Sequence, residues 1–163
     1  MKPRGFTPPA LPKAARLLRR FIEDYHERLE EKFIFPAFEK KRQQADLVKV
    51  LRAQHDAGRR LTDVILREAS ADHFKKDRGR DALTAACTAF IRMYRPHEAR
   101  EDTVLFPAFR RIVSRNEYDS LGEQFENKEH ELFGEDGFEK FVDEVAGLEK
   151  ALNLYELSSF TPR

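Results

Sequence analysis

The chain has 163 residues, a formal net charge of +1 and 36% charged side chains, long enough for one domain with a normal core. So balanced a composition gives no single-sign field for nucleic acid or an anionic membrane, and no apolar run approaches the roughly 20 residues that span a bilayer. The single cysteine, Cys87, excludes an internal disulfide and fits a reducing compartment, and the first residues lack the apolar core of a signal peptide, so a cytoplasmic location is expected.

Taken in chain order, the pattern is helical almost throughout. Met1 to Pro9 contains Pro3, Gly5, Pro8 and Pro9 and reads as an irregular lead-in. Helical periodicity begins near Leu11 and runs to about Lys41, with Leu18, Ile22, His26, Leu29 and Phe33 as one stripe. Pro36 is expected to kink or stop that helix. A second helix is expected over Asp46 to Glu68, with Leu47, Leu51, His55, Gly58 and Ile65 on one face, so that His55 replaces an apolar residue in a core stripe. His73 falls in a polar connection over 70–80 and is expected to be solvated.

The third helix is expected from Asp81 to Val113, with Leu83, Ala86, Phe90, Met93, His97, Glu101 and Leu105 along one face and a kink at Pro96. Cys87 lies near this stripe as small core filler. Asn116 is the expected cap of a fourth helix reaching Phe133, anchored by Leu121, Phe125 and Leu132. Gly134 and Gly137 bracket a turn, Phe138 to Leu152 reads as a fifth, amphipathic helix, and His130 reads as a surface residue. The expected organisation is a lead-in over 1–10, an all-α antiparallel bundle over 11–113, and a helical extension over 114–163 packed on it.

One thirteen-residue pattern occurs twice, 71 residues apart: His26 to Phe38 and His97 to Phe109. Both copies read His-x-x-x-Glu-acid, an apolar pair, then Phe-Pro-Ala-Phe. On a helix, residues four apart share a face, so His26 with Glu30, and His97 with Glu101, can each aim an imidazole and a carboxylate at one point. One such pair is ordinarily a solvated surface pair. Two copies in the same apolar frame favour a shared site, the alternative being a duplication whose aromatics only pack the core. Mixed imidazole and carboxylate donors suit iron and other first-row metals better than magnesium or calcium, and a carboxylate can bridge two ions. A two-metal site is therefore the expectation, with inward-facing His55 as the donor from the helix between. No phosphate loop, zinc-spaced cysteine pair or nucleophile elbow competes with it.

The paired His-x-x-x-Glu segments followed by Phe-Pro, with an inward His between them, resemble the hemerythrin-like (HHE cation-binding) domain. The resemblance covers roughly Leu11 to Val113. The segment from Glu129 to Phe138 resembles the extension found in a bacterial subset of these proteins. The resemblance implies a four-helix bundle around a non-haem di-iron centre, with His26, His55 and His97 as terminal ligands and Glu30 and Glu101 as bridging carboxylates. It implies iron as the metal, with manganese or zinc compatible with the same donors, and a diatomic ligand such as dioxygen or nitric oxide. The family's usual first helix, which brings a further His, has no counterpart before His26. Its place is expected to be taken by the C-terminal helix or by a second copy of the chain in a homodimer. Two other functions are to be weighed: a di-iron oxidoreductase acting on nitric oxide or peroxide, and a helical interaction module with a degenerate metal site.

Overall fold

The computed structural model describes residues 10–70, 73 and 76–162. The lead-in over Met1 to Pro9 and part of the polar connection, residues 71, 72, 74 and 75, lie outside the described residues. Everything described is helix, turn or irregular chain, with no strand among the described residues.

Helix α1 covers residues 10–41 without a break, α2 is Ala45–Glu68, and α3 covers residues 77–112. They form an antiparallel three-helix core. Helices α4 (Arg115–Phe133) and α5 (Gly137–Leu152) then fold back on the outer flank of α1. Phe21 on α1 packs its ring 4.5 Å from that of Phe141 and 6.0 Å from that of Phe133. Lower down, Phe33 meets Phe125 at 5.6 Å, and the Tyr25 hydroxyl donates to the Phe125 carbonyl at 3.2 Å.

Two apolar clusters close the bundle at opposite ends. One gathers Phe35, Phe38, Val48, Leu51, Leu105 and Phe109, and the other Ala15, Ile65, Ala69, Leu83, Ala86 and Phe90. The middle of the bundle, between them, is polar.

Pro36 does not stop α1. The helix widens instead into a π-type stretch at Glu30–Ile34 and resumes as α-helix through Phe35–Lys41. The second copy does the same, with a π-type stretch at Glu101–Leu105 followed by Phe106–Ile112. In each, the N–H just before the proline bonds five residues back, Phe35 to the Glu30 carbonyl and Phe106 to that of Glu101. A proline inside a helix has no N–H and its ring crowds the carbonyl four residues earlier, and a wider turn relieves both. The widening also has a packing role. Glu30 and Phe38, like Glu101 and Phe109, are eight residues apart and all buried, yet on a regular α-helix they would point about 80° apart. A longer first π-type stretch, Leu18–His26, precedes the first site residues. Pro96, by contrast, sits within the α-helical Asp77–Arg100 segment.

Helix α4 starts two residues earlier than an Asn116 cap would place it, its cap being Ser114. Ser114 accepts from the Glu117 N–H at 3.2 Å while Glu117 Oε2 accepts from the Ser114 N–H at 2.7 Å, a complete capping box. Gly134, at φ +85°, ends the helix in a conformation that disfavours side chains. Since α4 buries no residue completely, its local caps matter more than its packing. Ser114→Ala is expected to lower stability by about 1 kcal/mol in urea unfolding.

Candidate metal centre

The polar middle of the bundle is where the two repeated segments and α2 converge. Helix α1 supplies His26 and Glu30, α3 supplies His97 and Glu101, and α2 supplies His55 from between Leu51 and Ile65. The His26 Nε2 lies 3.2 Å from Glu30 Oε1, and the His97 Nε2 lies 3.1 Å from Glu101 Oε1. His55 stands between the pairs, its Nε2 3.4 Å from Glu30 Oε2 and 3.7 Å from Glu101 Oε1. All five residues singled out by the sequence are thus brought together. Four are buried, and the His26 side chain, 45% exposed, forms the open side.

The far sides of two imidazoles settle which nitrogens face inward. His55 Nδ1 lies 3.1 Å from Glu31 Oε1, and His97 Nδ1 lies 3.0 Å from Gln54 Oε1. Both partners are acceptors, so each Nδ1 carries a proton and Nε2 is the nitrogen turned toward the carboxylates. Glu30 Oε1 and Oε2, Glu101 Oε1 and His55 Nε2 are buried without a hydrogen-bond partner. Acceptor atoms therefore crowd together in a buried pocket, where a cation or a proton between them would relieve the cost of burial.

Protons meet the need where no cation is bound. Burial opposes charging His55, but its bonding to Glu101 and the charges of Glu27 and Glu30 outweigh this and raise its pKa. His26 behaves likewise, burial being outweighed by Glu30. For Glu101 burial favours the neutral acid, yet hydrogen bonds from His55 and His97 prevail and lower its pKa.

Around this centre the structure adds residues that sequence reasoning left without a role. Glu27 and Glu31 on α1 are both held by Arg59 of α2, at 2.8 and 2.7 Å. Further along α1, Glu23 is buried between the Thr62 hydroxyl and Arg19. Burial pushes the Glu27 carboxyl up to about 7, against the pull of His55 and Arg59. Burial also opposes ionisation of Glu31, but Arg59 more than offsets it and keeps this carboxyl below its usual range. Four carboxylates (Glu27, Glu30, Glu31 and Glu101) thus surround the centre, with the Arg59 guanidinium buried among them and Arg28 reaching Glu31 Oε2 from the surface at 2.9 Å.

Among the described residues, three sets of donor atoms are close enough to hold an ion: His55 with His97 and Glu101, His26 with Glu30 and Glu101, and Glu27 with Glu31 and His55. Arg59 already fills the third set. The first two share Glu101, which fits two neighbouring ions linked by one carboxylate. Of the other two histidines, His130 is exposed as expected, whereas His73 is half-buried and turns its Nδ1 to Glu68 at 3.3 Å rather than to solvent. Cys87 is half-buried against the second apolar cluster.

A helical bundle in which two His-x-x-x-Glu helices enclose a buried, carboxylate-rich pocket defines a class of cation-binding proteins. The family model of the hemerythrin HHE cation binding domain matches residues 3–109 and, overlapping them, 47–155, and the chain belongs to this family. Uncharacterised proteins of Mycobacterium tuberculosis (strain H37Rv) and Mycobacterium bovis are each 49% identical to it over 154 residues, covering 94% of this chain and 60% of theirs. The chain therefore spans about three fifths of the length of these relatives. No solved structure matches it. Among the described residues, no helix is long and apolar enough to cross a membrane.

Proposed function

We propose that this chain binds a pair of first-row transition-metal ions, iron foremost, at His26, Glu30, His55, His97 and Glu101, and that it binds or senses a small diatomic ligand there. The observation that carries the reading is the set of buried, unpartnered donor atoms on Glu30, Glu101 and His55. Their chemistry, imidazole nitrogen mixed with carboxylate oxygen, suits iron, manganese or zinc better than magnesium or calcium. The excess of acidic groups supports the same reading, since four carboxyls outnumber the two guanidiniums, Arg59 and Arg28, that reach them. When bound, iron would supply reversible electron transfer and affinity for dioxygen or nitric oxide. The chain's own residues would hold it from three helices, exclude water on the His55 side and leave the His26 side open to a small ligand.

The test is the metal content of freshly purified protein, by mass spectrometry, before and after anaerobic ferrous loading. Iron bound in proportion to the chain, with visible absorption that changes on adding azide or oxygen, is the expected result. Protein that stays metal-free after loading would make this a bundle without a working centre.

A further inference from the structure

We propose that Arg59 is a positioning residue for this centre: by clamping Glu27 and Glu31 together it holds the Glu31 carboxylate against His55 Nδ1 and thereby fixes His55 as a strong inward donor. The proposal rests on the reading of the centre as a metal site.

The clamp is built from two pairs at helical spacing. Glu27 and Glu31 lie one turn apart on α1, and His55 and Arg59 lie one turn apart on α2, so the two pairs interlock across the α1–α2 interface. One oxygen, Glu31 Oε1, serves both partners: it is 2.7 Å from Arg59 Nη2 and 3.1 Å from His55 Nδ1. Arg59 is thus joined to the inward-facing imidazole through a single carboxylate. Its side chain is only 11% exposed, unusual for a long flexible cation unless something holds it.

The second repeat lacks such a clamp, although its sequence carries the same acids. Glu98 and Asp102 correspond to Glu27 and Glu31, and both are exposed. There His97 is oriented by the neutral amide of Gln54 instead. The charged orienting partner therefore falls on the buried histidine that stands between Glu30 and Glu101. A carboxylate bonded to the outer nitrogen of a ligating imidazole fixes its ring and makes the inner nitrogen a better donor. Loss of such a partner ordinarily costs about 10–100-fold in metal affinity.

Titration of the metal-free protein with cobalt(II), followed by visible absorption, tests this on five proteins: wild type, Arg59→Gln, Arg59→Lys, Glu31→Gln and Arg19→Gln. Affinity in Arg59→Gln and Glu31→Gln is expected to fall about 10–100-fold, with Arg59→Lys recovering part of the loss. Glu31→Gln keeps an acceptor for His55 and leaves Arg59 with Glu27, so it gives an answer even should Arg59→Gln not fold. Arg19→Gln breaks the pair with buried Glu23 together with the bonds to Asp63 and to the Arg59 carbonyl, none of which touches a proposed ligand, and is expected to bind cobalt as wild type does. Wild-type affinity in Glu31→Gln or Arg59→Gln, or an equal loss in Arg19→Gln, would overturn the positioning role while leaving the metal site standing. Wild-type protein that takes up no cobalt would remove the site and this role with it.

Discussion

Glu101→Gln is expected to empty the centre of both ions, whereas His26→Ala is expected to leave one. Glu101 belongs to both open donor sets, touching His97 at 3.1 Å and lying in reach of His26 and Glu30 as well. Glutamine keeps the shape but removes the charge and one of the two oxygen donors, so neither ion retains its shared carboxylate. His26 belongs to one open set only, and its half-exposed side chain contributes little packing. The set of His55, His97 and Glu101 stays whole in its absence. Metal per chain, measured by mass spectrometry after anaerobic loading with ferrous iron, separates the cases. Equal metal content in the two variants would mean that Glu101 is not shared.

The metal-free protein is expected to lose stability as pH rises from about 5 to 8, and Glu27→Gln is expected to remove much of that loss. The Glu27 carboxyl is raised from 4.5 to about 7 by burial. Its contribution is fully present below the unfolded value and is lost as pH rises through the folded one, because the native state must give up a proton it binds more tightly. A shift of this size corresponds to about 3 kcal/mol at pH 8. His26 and His55 are raised in spite of burial, through their carboxylate neighbours, so they add a further loss above pH 6.5 that is reduced in the variant, since Glu27 is one of those neighbours. Urea unfolding across this range is the measurement. At pH 8 the variant should be the more stable protein, and at pH 5 the two should nearly coincide. A flat wild-type profile would show that Arg59 keeps Glu27 ionised throughout.

How far the sequence could be read depended on what each helix packs against. On α3 the apolar residues and the donors share one face, and Leu83, Ala86, Phe90, His97, Glu101 and Leu105 are buried as their periodicity implies, with Met93 half-buried among them. On α1 the same logic selected a flank. Leu18, Ile22, His26, Leu29 and Phe33 are only half-buried, while Glu23, Glu27 and Glu30 are buried. Hydrophobic periodicity assumes that the apolar side faces the core. Here the middle of the core is ionic, and much of the apolar flank of α1 serves α4 and α5 instead. The donors themselves were legible because their spacing is repeated. Glu31, Gln54 and Arg59 were not, since their roles exist only once α1, α2 and α3 are side by side. The His-x-x-x-Arg spacing on α2 facing Glu-x-x-x-Glu on α1 was the available signal. The capping box at Ser114 was equally readable, as Ser followed three residues later by Glu.

The π-type stretches under Phe35-Pro36 and Phe106-Pro107 set a rule for how this chain can vary. Each takes up the angular mismatch between a donor glutamate and a buried phenylalanine eight residues on. The pocket above and the aromatic packing below are therefore meshed like two gears on one shaft. Substitutions at exposed Lys32 or Thr103 leave the meshing alone, but adding or dropping a residue there would turn one gear against the other. The unit can be copied whole but not resized, and the two copies in this chain, alike in length while differing at six of thirteen positions, have kept to that rule.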